Sequence, residues 1–189
     1  MLLIGGGIAV GYGTTSHEVA LGGNIARQLT AFSGRGATVH IQAGANEQLS
    51  GAHKLLGQVD LRQFDAILAT FGGAESATFL SPQRWRRDLE EMLDVIQARR
   101  PHGLPVFIGG VPLIDNIPGV WGTLARRRAG QLNDQSRAVC DGREGAFFAP
   151  IDHLAPGIQV TMNRTVYRAW GESLARPIAT VLRRSAQSI

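Results

Sequence analysis

Five short apolar runs, each followed by a stretch with helical spacing, constrain this chain more than any other feature. They are Met1–Ile4, Ala37–Gln42, Ala66–Thr70, Pro105–Ile108 and Ala146–Ile151, rich in β-branched or aromatic residues. Strands that are apolar throughout need cover on both faces, so the runs predict a parallel, doubly wound sheet between two helical layers, an α/β fold. At 189 residues the chain is long enough for one good core and short for two. Residues 1–189 are therefore read as a single domain.

The segments between the runs carry their own signals. Thr15-Ser16-His17-Glu18 has capping-box spacing and opens a helix to about Ala31, with Val19, Leu21, Ile25, Ala26 and Leu29 as its buried stripe. Trp85, Leu89, Met92, Leu93 and Ile96, flanked by Val95, mark one face of a helix from Pro82 to Arg99; Pro82 suits its first turn and Pro101 ends it. Two more helices are predicted over Leu124–Val139 and Val166–Arg184, the last turning Trp170, Leu174, Ile178 and Leu182 to the core.

Composition narrows the function classes. Cys140 is the only cysteine, which excludes an internal disulfide and a multi-cysteine metal site, and it reads as an inert thiol. The net charge is +4, and arginines cluster at 84, 86–87, 99–100, 126–128 and 183–184. Each cluster falls on the polar side or the C-terminal end of a predicted helix, so the charge is read as helix surface rather than a nucleic-acid footprint. No apolar run reaches the ~18 to 20 residues of a membrane span, and no basic leader or cleavage site precedes the first run. The expectation is a cytoplasmic protein with no membrane partner and no cofactor.

In a doubly wound sheet the ligand site lies beyond the C-terminal ends of the strands. Glycines stand there after four of the five runs: Gly5-Gly6-Gly7, Gly44, Gly72-Gly73 and Gly109-Gly110. The first set, with Gly11, is similar to a dinucleotide-binding turn, but the gap from Gly7 to Gly11 is one residue too long. The second strand, His40-Ile41-Gln42-Ala43, also lacks the acid that would hold a ribose.

The order of these blocks resembles the SGNH (GDSL-type) hydrolases, a family of esterases, lipases and carbohydrate acyl hydrolases, over nearly the whole chain. Gly5-Gly6-Gly7 stands where the family has Gly-Asp-Ser, and Ile8-Ala9-Val10-Gly11-Tyr12-Gly13 continues like its loop. Gly44 matches the glycine whose amide helps form the oxyanion hole, and Gly72-Gly73-Ala74-Glu75 matches Gly-x-Asn-Asp. Val111-Pro112-Leu113, Asn133 and the run from Phe147 to Asp152 fit the fourth and fifth strand region. Counting back from Tyr167 and Trp170, which anchor the last helix, places the family's aspartate at Gln159 and its histidine at Met162. The resemblance implies a flavodoxin-like doubly wound sandwich with a five-stranded parallel sheet.

It also implies a vacated triad. Acyl transfer needs a hydroxyl nucleophile, a base and an orienting carboxylate, with donors for the oxyanion. Gly7, Met162 and Gln159 supply none of the first three, and Ala74 replaces the asparagine donor, leaving the amides of Gly7 and Gly44. The favoured expectation is a non-catalytic domain whose strand-end cleft, lined by Gly7, Gly44, Ala74, Glu75, Gln159 and Met162, binds a small ligand or a protein partner. The rival is an active esterase with relocated residues: Ser16 or Thr14 as nucleophile, with His153 and Asp152 at the end of the fifth strand. Glu75 and Glu47 are a candidate acid–base pair. His40 is read as a core or edge histidine, and His53 and His102 as surface residues.

Overall fold

The strands form where the apolar runs predict, each four residues long, the first and fourth shifted on by one residue and the other three shortened: β1 (Leu2–Gly5), β2 (His40–Ala43), β3 (Ile67–Thr70), β4 (Val106–Gly109) and β5 (Ala146–Ala149). The computed structural model describes residues 1–11, 13, 20–99, 104–112, 119–151 and 163–187. All pairings are parallel, in the order β2-β1-β3-β4-β5, the flavodoxin-like order. The helices are α1 (Gly7–Val10), α2 (Leu21–Ser33), α3 (Ala52–Gly57), α4 (Gly73–Ala77), α5 (Pro82–Arg99), α6 (Gly119–Asp141) and α7 (Arg164–Gln187), with 3₁₀ turns at Leu49–Gly51 and Leu61–Gln63.

Register explains why the central strands carry no polar alternation. Leu3 lies opposite Leu68, and Leu68 opposite Phe107, so the three point to one face; Leu2, Ile67 and Val106 form the matching row on the other. The Leu3 row packs with Leu21, Ile25, Tyr167, Trp170 and Leu174 of α2 and α7. The Leu2 row packs with Leu55, Trp85, Leu89 and Leu132 of α3, α5 and α6. Both faces are buried, as the uniform hydrophobicity requires.

Helix α5 and its buried face match expectation: Trp85, Leu89, Met92, Leu93 and Ile96 are buried and Val95 lies on the flank. Tyr167 and Trp170 anchor α7, both buried with their rings edge-to-face at 6.1 Å. Burial pushes the Tyr167 hydroxyl up to about 12. Two helix starts differ. The described part of α2 opens at Leu21 behind Ala20, and the expected start at Thr15 to Val19 lies outside the described residues. Helix α6 begins at Gly119, five residues ahead of the expected Leu124, because its first turn presents Val120 and Trp121 to solvent and so carries no buried stripe.

The extra length of α6 matters for the site. The Asn133 side-chain amide donates to the Val111 carbonyl (3.0 Å) and accepts from the Val111 amide (2.7 Å), just past the end of β4. That fixes Asn133 level with the strand ends. From there α6 runs down to Asp141 and β5, so the helix from Asn133 back to Gly119, about 21 Å at ~1.5 Å per residue, stands beyond the C-terminal edge of the sheet.

Candidate functional site

Strand β1 is next to the edge strand β2 and delivers Gly5-Gly6-Gly7 to the C-terminal edge of the sheet. The three glycines are not equivalent. A Cβ on Gly5 would lie 2.3 Å from the Thr70 carbonyl oxygen, and one on Gly6 2.6 Å from that of Glu47, both impossible without moving backbone. At Gly7 the only such neighbour is the Ala45 carbonyl oxygen at 3.5 Å, an ordinary contact. Gly7 is half-buried, begins α1, and is not among the positive-φ residues. Packing thus explains Gly5 and Gly6 but not Gly7, where a side chain has room.

The floor around this position is tied together by backbone-directed contacts. Gly72 caps α4 at φ 104°, and a Cβ there would sit 2.2 Å from Val111 Cγ2, so the conformation and the close approach both require glycine. Val111 is in turn held by Asn133. Glu75 is only 3% exposed. Its Oε1 accepts the Leu49 amide at 2.8 Å and its Oε2 the Gly72 amide at 2.9 Å. One carboxylate therefore braces the segment after β2 against the segment after β3, with β1 between them.

The structure brings Gly7, Gly44 and Ala74 to the ends of three adjacent strands, β1, β2 and β3, with Ala74 exposed in the first turn of α4. Thr14, Ser16, Asp152, His153, Gln159 and Met162 lie outside the described residues, as does His102. Two expectations change. The Gly44 amide donates to the Gly5 carbonyl at 3.3 Å, extending the β1–β2 ladder, so it is not an open oxyanion donor. Glu75, expected to line the cleft and to pair with Glu47, is buried with each carboxylate oxygen accepting a backbone amide, so its observed role is to brace the strand-end segments.

Several other described titratable groups have structural contacts of their own. His40 is exposed on edge strand β2, tilted against Phe64 at 5.7 Å, and His53 is exposed beside the Ser50 carbonyl. Among the described residues no three His, Cys, Asp or Glu side chains form a metal-binding group. Cys140 is buried, and desolvation, with Asp141 adding repulsion, pushes its thiol up to about 12, which leaves it protonated and unreactive. Three arginines serve helices: Arg84 pairs with Asp88 and Arg86 with Glu90 one turn on, and Arg99 donates to the Leu56 and Val59 carbonyls at the end of α3.

Two residues near the site escape the sequence reading altogether and a third escapes it in part. Asn133 is legible only through the family resemblance. Phe79 and Trp121, exposed with ring centroids 6.0 Å apart, join the loop after α4 to the tip of α6. The available signal was Val120-Trp121 standing just ahead of the expected helix start.

The model of the GDSL-like lipase/acylhydrolase family matches residues 3–185. Among solved structures, a carbohydrate esterase family 2 enzyme with a carbohydrate-binding domain from Corynascus thermopiles (Myceliophthora fergusii) is similar at TM-score 0.75 and 17% identity, over 96% of this chain and 66% of that one. The lipase Lip_vut3 from a goat rumen metagenome is similar at TM-score 0.71 and 14% identity, over 94% and 95%. A family two carbohydrate esterase from Clostridium thermocellum is similar at TM-score 0.68 and 12% identity, over 95% and 62%. The chain thus spans less than two thirds of both carbohydrate esterases. No curated protein sequence matches it.

Proposed function

This chain belongs to the GDSL-like lipase/acylhydrolase family, and from that premise we propose that it is a non-catalytic member whose strand-end cleft binds a small ligand or a protein partner. The observation that carries the reading is the contrast within the first glycine triplet. Gly5 and Gly6 are glycines because Thr70 and Glu47 leave no room, whereas Gly7, in the family's nucleophile position, has space and carries nothing. Glu75 and Asn133 hold the segments after β2, β3 and β4 in place, so the open position 7 stands beside an ordered strand-end edge suited to binding. Without a hydroxyl or thiol at position 7 there is no atom there to attack an acyl carbon, and Ala74 adds no donor for the resulting oxyanion.

The test is turnover. Purified protein is expected to release no product above buffer from short-chain aryl esters or acetylated sugars. Turnover that collapses in Ser16→Ala or His153→Ala overturns the reading in favour of an active esterase built on relocated residues.

A further inference from the structure

The exposed large apolar side chains among the described residues are Phe79, Val120, Trp121 and Leu124, and they are gathered in one place. Val120 and Leu124 are one turn apart on α6, Trp121 and Leu124 share the same flank, and the Trp121 ring meets Phe79. Their position is the part of α6 that stands beyond the sheet edge. Val120 is 72% and Trp121 67% exposed, too open for the wall of a pocket. These side chains are placed to meet something outside the molecule.

Phe79 adds an independent observation. The Leu80 amide donates to the Glu75 carbonyl (2.9 Å) and the Phe79 amide to that of Ser76 (3.3 Å), the Schellman ending of α4. The residue after such a cap adopts the left-handed conformation and is usually glycine, yet Phe79 takes it at φ 56° and is left 37% exposed. A bulky residue held in that conformation while more than a third of it stays exposed carries a cost that its burial offsets only in part.

The charge beside the patch identifies the occupant. Arg127 and Arg128 follow Leu124 by three and four residues, which puts both guanidinium groups on the flank of α6 that carries Val120, Trp121 and Leu124, within a chain of net charge +4. An indole at the tip, aliphatic side chains around it and cations one turn behind match the depth profile of a bilayer: acyl chains, interface, anionic headgroups. We propose that this prow docks on an anionic lipid bilayer, holding the strand-end edge toward the membrane surface. No described helix is long and apolar enough to cross a membrane, and a surface contact needs none. The proposal does not depend on whether the site is catalytic.

Intrinsic fluorescence isolates the patch, because Trp85 and Trp170 are buried and Trp121 is the remaining tryptophan. With phosphatidylcholine–phosphatidylglycerol vesicles the whole chain is expected to cosediment, its emission moving to the blue, and half-molar salt is expected to release it. Trp121→Ser should lower partitioning roughly tenfold. Arg127→Gln with Arg128→Gln should lower it about 30-fold on these vesicles and leave pure phosphatidylcholine unaffected. Phe79→Gly should weaken binding while raising Tm by about 2–4 °C, since glycine relieves the cap. No partitioning onto anionic vesicles, or equal partitioning by Trp121→Ser, overturns the proposal. So does a blue shift that grows with protein concentration alone, with elution as a dimer, which would make the patch an interface between copies. A fall in Tm for Phe79→Gly would remove Phe79 from the surface.

Discussion

Alanine at position 5 is expected to destabilise the chain by about 3 kcal/mol, lowering Tm by roughly 6–12 °C, while alanine at position 7 leaves Tm within about 2 °C. The difference follows from what each new methyl would meet. At Gly5 it lands 2.3 Å from the Thr70 carbonyl oxygen and 2.5 Å from the Thr70 hydroxyl, and because β1 pairs with β3 at that register the strands must part to admit it. The obstacle is backbone inside a sheet, which cannot rotate away as a side chain can. At Gly7 the corresponding atom is the Ala45 carbonyl at 3.5 Å, and nothing has to move. Thermal melts of Gly5→Ala and Gly7→Ala, read side by side, check this. A large loss at position 7 would mean that its glycine is a packing requirement like the others, and the argument that position 7 is open would fail.

Glu75→Gln is expected to cost a similar amount, about 3 kcal/mol, for an electrostatic rather than a steric reason. The carboxylate accepts two backbone N–H groups, from Leu49 and Gly72, in a buried position. An amide keeps one acceptor oxygen and turns an NH₂ group toward the other donor, so one backbone amide is stranded against a like dipole. Denaturant melts are the direct measure. Amide exchange at Leu49 and Gly72 locates the effect: both should exchange faster in the variant than in the parent. A variant as stable as the parent, with protection at both amides intact, would show that the brace carries no load and that the segments after β2 and β3 are held by other contacts.

Much of the architecture is legible in the sequence alone. Runs such as Leu2-Leu3-Ile4 and Ile67-Leu68-Ala69 are apolar at both parities, and only a sheet covered twice buries both. The face of α5 was readable because its apolar spacing is unbroken from Trp85 to Ile96. The start of α6 was not, because Gly119, Val120 and Trp121 present apolar residues to solvent, and a reading based on buried stripes discards them. Within the site, the glycines after β1 to β4 announced close approach but could not say which had room to spare. That distinction depends on Thr70 and Glu47, which reach the triplet only through the fold. The role of Glu75 was half visible: a glutamate three residues after Gly72 has the spacing of a helix brace, but its second partner, Leu49, lies 26 residues away in sequence.

The sheet separates two hydrophobic clusters that share no side chain: one built on Leu2, Ile4, Ile67 and Val106, the other on Leu3, Leu68 and Phe107. Substitutions on opposite faces therefore act through different neighbours, and their effects should combine nearly additively. A lineage carrying such a protein can repack one face without waiting for a compensating change in the other. The strand-end edge is anchored to both layers but made largely of backbone, so it can keep its shape through that drift. This gives a physical reason why a chain only 12–17% identical to esterases and lipases retains their fold.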